Sequence, residues 1–129
     1  MGLFGHEQSH DPICAKSCTG YVITLSGCPL IWVSKLQTTI ALSTMEAEYQ
    51  ALSSSCCDLI LLCQIVEEAS KALHVNEDFS ITSYSTLYED NSACLSQAYC
   101  PKMTPCTKHI AVVYHWFCEY VVSGILCIL

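Results

Sequence analysis

The sequence predicts an α/β domain in which helices flank a mixed β-sheet. Short runs of β-branched and aromatic residues, separated by turn residues, occur together with longer segments in which apolar residues recur at helical spacing. The chain has 129 residues, of which 52% are hydrophobic. It is therefore long enough to form one domain with a core of its own.

Three strands are predicted in the first third of the chain, at residues 20–25, 30–34 and 37–42. Each run is short and contains several Val, Ile, Thr or aromatic residues, which favour strands. Ser26-Gly27, directly after the first run, is a typical turn signal. Runs joined by such tight connections predict an antiparallel meander.

A long helix is predicted over residues 44–69, because apolar residues follow the helical period from Ala47 onward. Ser43 is a favourable N-cap, and Glu46, three positions later, completes a capping box. Glu48 lies beyond this cap and is therefore a candidate for chemistry. Acids in a first helical turn also occur simply as partners of the helix dipole, so this alternative stays open.

The second half of the chain alternates strand and helix signals. In chain order these predict a linker at residues 76–80, a strand at 81–88, a short helix at 91–98, a proline-bracketed loop at 101–105 and a helix at 108–123. Asp90 then lies just past the carboxyl end of a strand. The sequence D-N-S is also typical of an Asx turn or a helix cap, and taken alone Asp90 favours that structural role over a catalytic one.

Charge restricts the possible functions. The chain carries five Lys, no Arg and twelve acidic residues, which gives a net charge of −7. Proteins displace phosphate counterions with Lys and Arg, and Arg is the residue best suited to bidentate phosphate contacts. We therefore expect weak or no binding to nucleic acid.

The eleven cysteines predict neither a disulfide scaffold nor a zinc site. No apolar leader is evident at the N-terminal end, which favours an intracellular protein, cytoplasmic or nuclear, with reduced thiols. No C-x-x-C pair occurs, although structural zinc sites commonly contain one. The apolar residues 121–129 are too few to span a bilayer, and no membrane partner is expected.

Glu48 and Asp90 are the candidate catalytic and metal-binding residues. An acid early in a helix and an acid at the carboxyl end of a strand can converge at one edge of an α/β sheet. Several carboxylates around a pair of Mg²⁺ ions can support phosphodiester hydrolysis. Mg²⁺ is therefore the cofactor that this pair of residues suggests.

Four motifs occur together and in order: S-x-T-G-Y-V-x-x-L at residues 17–25, I-W-x-S-K-x-Q-x-x-x-A-L-S-T-x-E-A-E-Y-x-A-L at 31–52, Y-x-D-N-S-A at 88–93, and T-K-H-I followed by Y-H at 107–115. Their combination resembles the RNase H domain of the Pol polyprotein of copia-type LTR retrotransposons. The resemblance extends over residues 11–124. It implies an RNase H-like fold and an ancestral Mg²⁺-dependent cleavage of RNA in RNA–DNA hybrids. The hybrid and the reverse transcriptase part of Pol are then the ancestral partners.

The resemblance also implies a set of four acids, of which two are present. The helix acid falls on Glu48, and the acid after the fourth strand falls on Asp90. The family reads K-H-I-D in its last motif, whereas Ala111 replaces the acid here. The first acid aligns with Gly5, with Glu7 as a possible substitute.

The first strand lies at the centre of the sheet in this family. Residues 1–10 are poor strand formers, so we expect them to be an irregular remnant of that strand. Residues 11–129 then make up the RNase H-like domain. A sheet without a regular centre predicts a marginal or partly open structure.

The sequence is therefore interpreted as a degenerate retrotransposon RNase H domain, a pseudoenzyme without useful nuclease activity. One alternative is a domesticated protein-interaction module that keeps the fold without catalysis. Cys56, Cys57 and the Leu-rich helix could line its surface, although a place in the core is favoured for them. Another is a working nuclease that uses Glu7, Glu48 and Asp90 as a reduced metal-binding set.

Overall fold

The computed structural model describes residues 16–74, 85–100 and 115–129. Their elements, in chain order, are β1 (Cys18–Leu25), β2 (Cys28–Leu36), α1 (Thr44–Ala72), β3 (Ser85–Leu87), α2 (Ser92–Tyr99), a 3₁₀ turn (His115–Phe117), α3 (Cys118–Val122) and β4 (Leu126–Ile128). This mixture of helices and strands agrees with the predicted α/β class. The predicted linker at residues 76–80, the loop at 101–105 and the remnant strand at 1–10 lie outside the described residues.

Strands β1 and β2 form an antiparallel hairpin, as the first two strand predictions required. Ser26 and Gly27 both have positive φ, at 51° and 83°. Two consecutive residues of this kind form the turn whose twist matches that of the flanking strands. The inward residues of β1, which include Tyr21 and Ile23, are buried.

The predicted third strand at residues 37–42 is wrong, because this segment runs irregularly into the start of α1. The side chain of Gln37 donates to the Ala47 carbonyl at 2.8 Å, and the Thr39 hydroxyl donates to the Gln50 side chain at 3.0 Å. These bonds hold the segment against the first turns of the helix. The side-chain contacts to α1 replace the ladder of a third strand.

Helix α1 begins with the predicted capping box. The Glu46 N–H donates to Ser43 Oγ at 3.1 Å, and Glu46 Oε2 accepts from the Leu42 N–H at 2.8 Å. The helix ends at Ala72, three residues after the predicted end. Its inner face contributes Tyr49, Leu52 and other buried residues to the core.

The C-terminal segment differs from its prediction. A helix was expected over residues 108–123, but within the described part a 3₁₀ turn leads into α3, which ends at Val122. Gly124, with φ of 76°, ends this helical segment as predicted. The chain then forms β4, an unpredicted strand that pairs in parallel with β3. The predicted strand at residues 81–88 contains β3.

Within the described ranges the strands form two separate pairs, β1–β2 and β3–β4. Both pairs contribute to one hydrophobic core, because Ile23 of β1, Leu87 of β3 and Ile128 of β4 belong to the same buried cluster. Phe117 packs against Tyr49 with ring centroids 5.3 Å apart. The C-terminal segment is thereby attached to α1.

Helix α1 is long and apolar enough to cross a membrane by length and composition alone. A core helix of a soluble protein satisfies the same criteria, and 44% of the relevant window is buried inside the protein. The absence of a membrane partner therefore remains a prediction.

Candidate carboxylate site

Glu48 is the fifth residue of α1, at the start of its second turn, and is half-buried. The neighbouring Glu46 is the acid that caps the helix, through its bonds to Leu42 and Ser43. The capping function predicted for this block is therefore assigned to Glu46. Glu48 takes no part in this cap, and its role stays a prediction.

Asp90 follows β3 and is exposed. It does not cap α2, because the Asn91 side chain accepts from the N–H groups of Ala93 and Cys94 at 3.0 and 3.1 Å. Asn91 is thus the N-cap, and its own N–H donates to Glu89 Oε1 at 3.1 Å. The capping alternative for Asp90 is therefore wrong.

Glu48 and Asp90 converge, although they come from different elements. Burial raises the pKa of Glu48 above its ordinary value of 4.5, and the negative charge of Asp90 raises it further. Like charges that are near each other disfavour the ionised form, so Asp90 lies close enough to Glu48 to act on its charge. That the two carboxylates form one functional site stays a prediction.

Glu89 is a third acid near this site that the sequence analysis missed. Burial raises the pKa of the Cys94 thiol, and the charges of Glu89 and then Glu48 raise it further. The Glu89 N–H donates to the Leu129 carbonyl at 2.7 Å, and the Leu129 N–H donates to the Leu87 carbonyl at 2.8 Å. The backbone after β4 therefore holds the residues that follow β3. The sequence signal that could have identified Glu89 is its position next to Asp90 in Y-E-D-N.

The remaining predicted site positions, Gly5, Glu7 and Ala111, lie outside the described residues. Across the described ranges, no group of three or more His, Cys, Asp or Glu side chains could hold a metal ion. A clamp for two Mg²⁺ ions needs more carboxylates than one pair supplies. A single Mg²⁺ can bind to one or two carboxylates when substrate phosphates and waters complete its shell. The pair therefore does not fit a two-ion clamp.

Together the fold and the site define an α/β domain with an acidic pair where a helix start meets the end of a strand. The chain is 38% identical over 106 residues, 82% of its length, to the retrovirus-related Pol polyprotein from transposon TNT 1-94 of Nicotiana tabacum. It is 28% identical over 110 residues, 85% of its length, to the Pol polyprotein from transposon RE1 of Arabidopsis thaliana. These similarities support a retrotransposon Pol-derived region.

The chain spans 7% of the length of each of these polyproteins. It is also 43% identical over 55 residues to secreted RxLR effector protein 161 of Plasmopara viticola, a match that covers 43% of this chain and 39% of that protein. No family model and no solved structure matches the chain.

Proposed function

We propose that the chain is the RNase H-like part of a retrotransposon Pol polyprotein that no longer cleaves RNA. The observation that carries the proposal is that Asp90, which follows β3, lies near enough to Glu48 of α1 for its charge to raise the pKa of Glu48, after burial. These are the two positions onto which the motifs place the helix acid and the acid after the fourth strand. Since the two acids are distant in sequence, their convergence is an argument for a site and against two independent caps.

The order of the elements also supports the proposal. Three of the four motifs that carry the resemblance lie on the hairpin, on the start of α1 and on the connection from β3 to α2. The first strand of that family lies at the centre of its sheet. The two strand pairs that share one core here are compatible with the two sides of such a sheet.

We expect the loss of cleavage for two reasons, the missing acids of the catalytic set and the negative net charge of the chain. Ala111 stands where the last acid is expected, and Gly5 aligns with the first. Removing one catalytic group can cost several orders of magnitude in rate. A chain with net charge −7 and no Arg also offers few contacts for a phosphate backbone. Both the chemistry and the binding of an RNA–DNA hybrid are therefore weakened.

A cleavage assay tests this proposal. The purified chain is incubated with a labelled RNA–DNA hybrid and Mg²⁺ or Mn²⁺, beside the Glu48→Gln and Asp90→Asn variants. We expect no cleavage by the wild-type chain above the level of these variants. Glu68→Gln, on the exposed side of the same helix, is the matched control. Cleavage by the wild-type and Glu68→Gln chains that both site variants lose would establish a working nuclease.

A domesticated interaction module is the second candidate. One observation favours it: Leu30, Trp32 and Leu36 of β2 are exposed in alternation, and Trp32 is 73% exposed. An apolar stripe of this kind is typical of contact surfaces. The core placement favoured from the sequence is confirmed for Cys56, which is buried, and wrong for Cys57, which is exposed. A soluble chain that unfolds in one cooperative transition would favour this candidate. A degenerate domain is expected to unfold over a broad transition instead.

A further inference from the structure

Strand β2 is the outer strand of the hairpin. Seven of its nine residues are exposed, whereas one of the eight residues of β1 is. Within the described residues β2 pairs on one side only, with β1. In this part of the chain its other edge is therefore free.

The register of the hairpin determines which backbone groups lie on this free edge. The Gln37 N–H donates to the Ser17 carbonyl at 2.8 Å, and these two residues stand opposite each other in continuation of the strand register. Bonded and non-bonded pairs alternate in an antiparallel ladder, so Val33 is bonded to β1. Trp32 and Ser34 belong to the non-bonded pairs, and their N–H and C=O groups point away from β1.

The side chains beside these groups form an apolar stripe on the outward face of the hairpin. Trp32 is 73% exposed and Leu36 is 52% exposed, and both alternate with the inward residue Val33, which packs against the core. A row of free backbone groups can bond to another extended chain, and the side chains beside it select the residues of that chain. The edge therefore fits a segment with apolar residues at alternate positions.

The charges near the hairpin select the partner further. Residues 16–45 carry Lys16 and Lys35 and no acid, although the whole chain has twelve acids. Lys35 is exposed and directly follows Ser34 on β2. Opposite charges on facing strands attract each other. Lysine on an edge strand is a common device against pairing with a second copy, and a net charge of −7 on each copy adds to the repulsion.

We propose that the free edge of β2 binds an extended segment of a partner protein in which apolar and acidic residues alternate. The segment adds a strand to the hairpin, with its apolar side chains over Trp32 and Leu36 and its acidic side chains on the face of Lys35. This inference rests on the second candidate function, the interaction module. Its tests use neither the cleavage assay nor the unfolding transition, so its failure is distinguishable from theirs.

A short capped peptide of alternating Val and Glu is the probe. Amide hydrogen exchange of the full chain is measured by NMR with and without the peptide. A ligand at about ten times its Kd leaves roughly one tenth of the sites free, so the Trp32 and Ser34 amides should exchange about tenfold more slowly. The Val33 amide, which is bonded to β1, should keep its rate. Unchanged exchange at Trp32 and Ser34 overturns the proposal. Protection of these amides without peptide that disappears on dilution assigns the edge to a second copy and also overturns it.

A matched pair of variants tests the backbone bonds. Ser34→Pro removes a free N–H on an edge where proline is tolerated, whereas Ser34→Ala keeps this N–H. The peptide should bind Ser34→Ala as it binds the wild type and bind Ser34→Pro at least about tenfold more weakly, since a strand hydrogen bond is lost and a buried acceptor is left without its donor. Equal binding to both variants overturns the proposal. If Ser34→Pro does not fold, the hydrogen exchange of the wild-type chain decides.

A charge exchange tests the choice of an acidic partner. Lys35→Glu should weaken binding of the Val and Glu peptide about five- to tenfold and strengthen binding of a matched Val and Lys peptide, because an attractive exposed pair becomes a repulsive one and the reverse. Lys71→Glu makes the same change of charge on α1 and is the control. It should leave the binding of both peptides unchanged. Equal effects of the two variants, or tighter binding of the Val and Lys peptide to the wild type, overturn the proposal.

Discussion

Glu48 and Asp90 interact electrostatically across the junction between α1 and the end of β3. Burial raises the pKa of Glu48, and the Asp90 carboxylate adds to this effect. The folded chain therefore holds a proton on Glu48 at pH values where the unfolded chain has lost it. Stability falls as the pH rises from the ordinary pKa of 4.5 through the raised pKa, and the penalty persists at neutral pH.

The first prediction concerns this penalty. Glu48→Gln removes the charge, so it should raise the free energy of unfolding at pH 7 by about 0.3–1 kcal/mol, a range limited by solvent screening of a half-buried group. Near pH 4 Glu48 is mostly protonated in both states, and the gain should be much smaller. Urea unfolding at the two pH values measures the difference.

Glu68→Gln is the control for this measurement, because Glu68 is exposed on the same helix. It should change stability equally little at both pH values. A gain for Glu48→Gln that is as large at pH 4 as at pH 7 would show that the substitution acts through packing and not through charge.

Local signals explain which elements could be predicted from the sequence. The turn at Ser26-Gly27 and the capping box of Ser43 and Glu46 are set by neighbouring residues, and both occur as predicted. The segment after Gln37 has strand-like composition, but its polar side chains bond to α1. Such tertiary bonds leave no periodic trace in the sequence.

The same reasoning applies to β4 and to the site. Leu126–Ile128 is a strand of three residues whose partner is β3, distant in the chain, so its pairing has no local signal. Glu48 and Asp90 could be selected because each follows a recognisable cap or strand. Their proximity, and the charge that Glu89 adds near Cys94, depend on the packing of α1 against α2 and β3.

The second prediction concerns the bond between the hairpin and α1. The Tyr21 hydroxyl donates to Asp58 Oδ2 at 2.5 Å. Hydrogen bonds to charged groups contribute about 1.5–3 kcal/mol, so Tyr21→Phe should lower the free energy of unfolding by an amount in this range.

A double-mutant cycle with Asp58→Ala checks this interpretation. If the bond carries the effect, Tyr21→Phe should cost much less in the Asp58→Ala background. Equal costs in both backgrounds would assign the effect to the burial of the tyrosine hydroxyl and not to its partner.

The third prediction concerns Gln37, which is buried where β2 ends. Its amide nitrogen donates to Thr19 Oγ1 at 3.2 Å and to the Ala47 carbonyl at 2.8 Å. Gln37→Ala leaves both acceptors without this donor, and an unsatisfied buried group costs about 1–3 kcal/mol. Gln64→Ala, at an exposed position of α1, should stay within about 0.5 kcal/mol of the wild type. Chemical unfolding of the two variants compares them, and similar losses would contradict the role assigned to Gln37.

The fourth prediction concerns Tyr99, which holds the unpredicted strand β4. Its hydroxyl donates to the Ile128 carbonyl at 2.7 Å and accepts from the Ile128 N–H at 3.0 Å. Tyr99→Phe removes both bonds while the ring remains. We expect a loss of about 1–3 kcal/mol, since each of the two hydrogen bonds contributes about 0.5–1.5 kcal/mol net.

Hydrogen exchange distinguishes this local effect from general destabilisation. In Tyr99→Phe the Ile128 amide should exchange faster than in the wild type by a larger factor than amides in the middle of α1, because only β4 loses a direct bond. Tyr88→Phe, at an exposed tyrosine next to β3, is the matched control and should leave the Ile128 amide unchanged. Equal acceleration of the Ile128 and α1 amides in Tyr99→Phe would mean that β4 opens only with the whole domain.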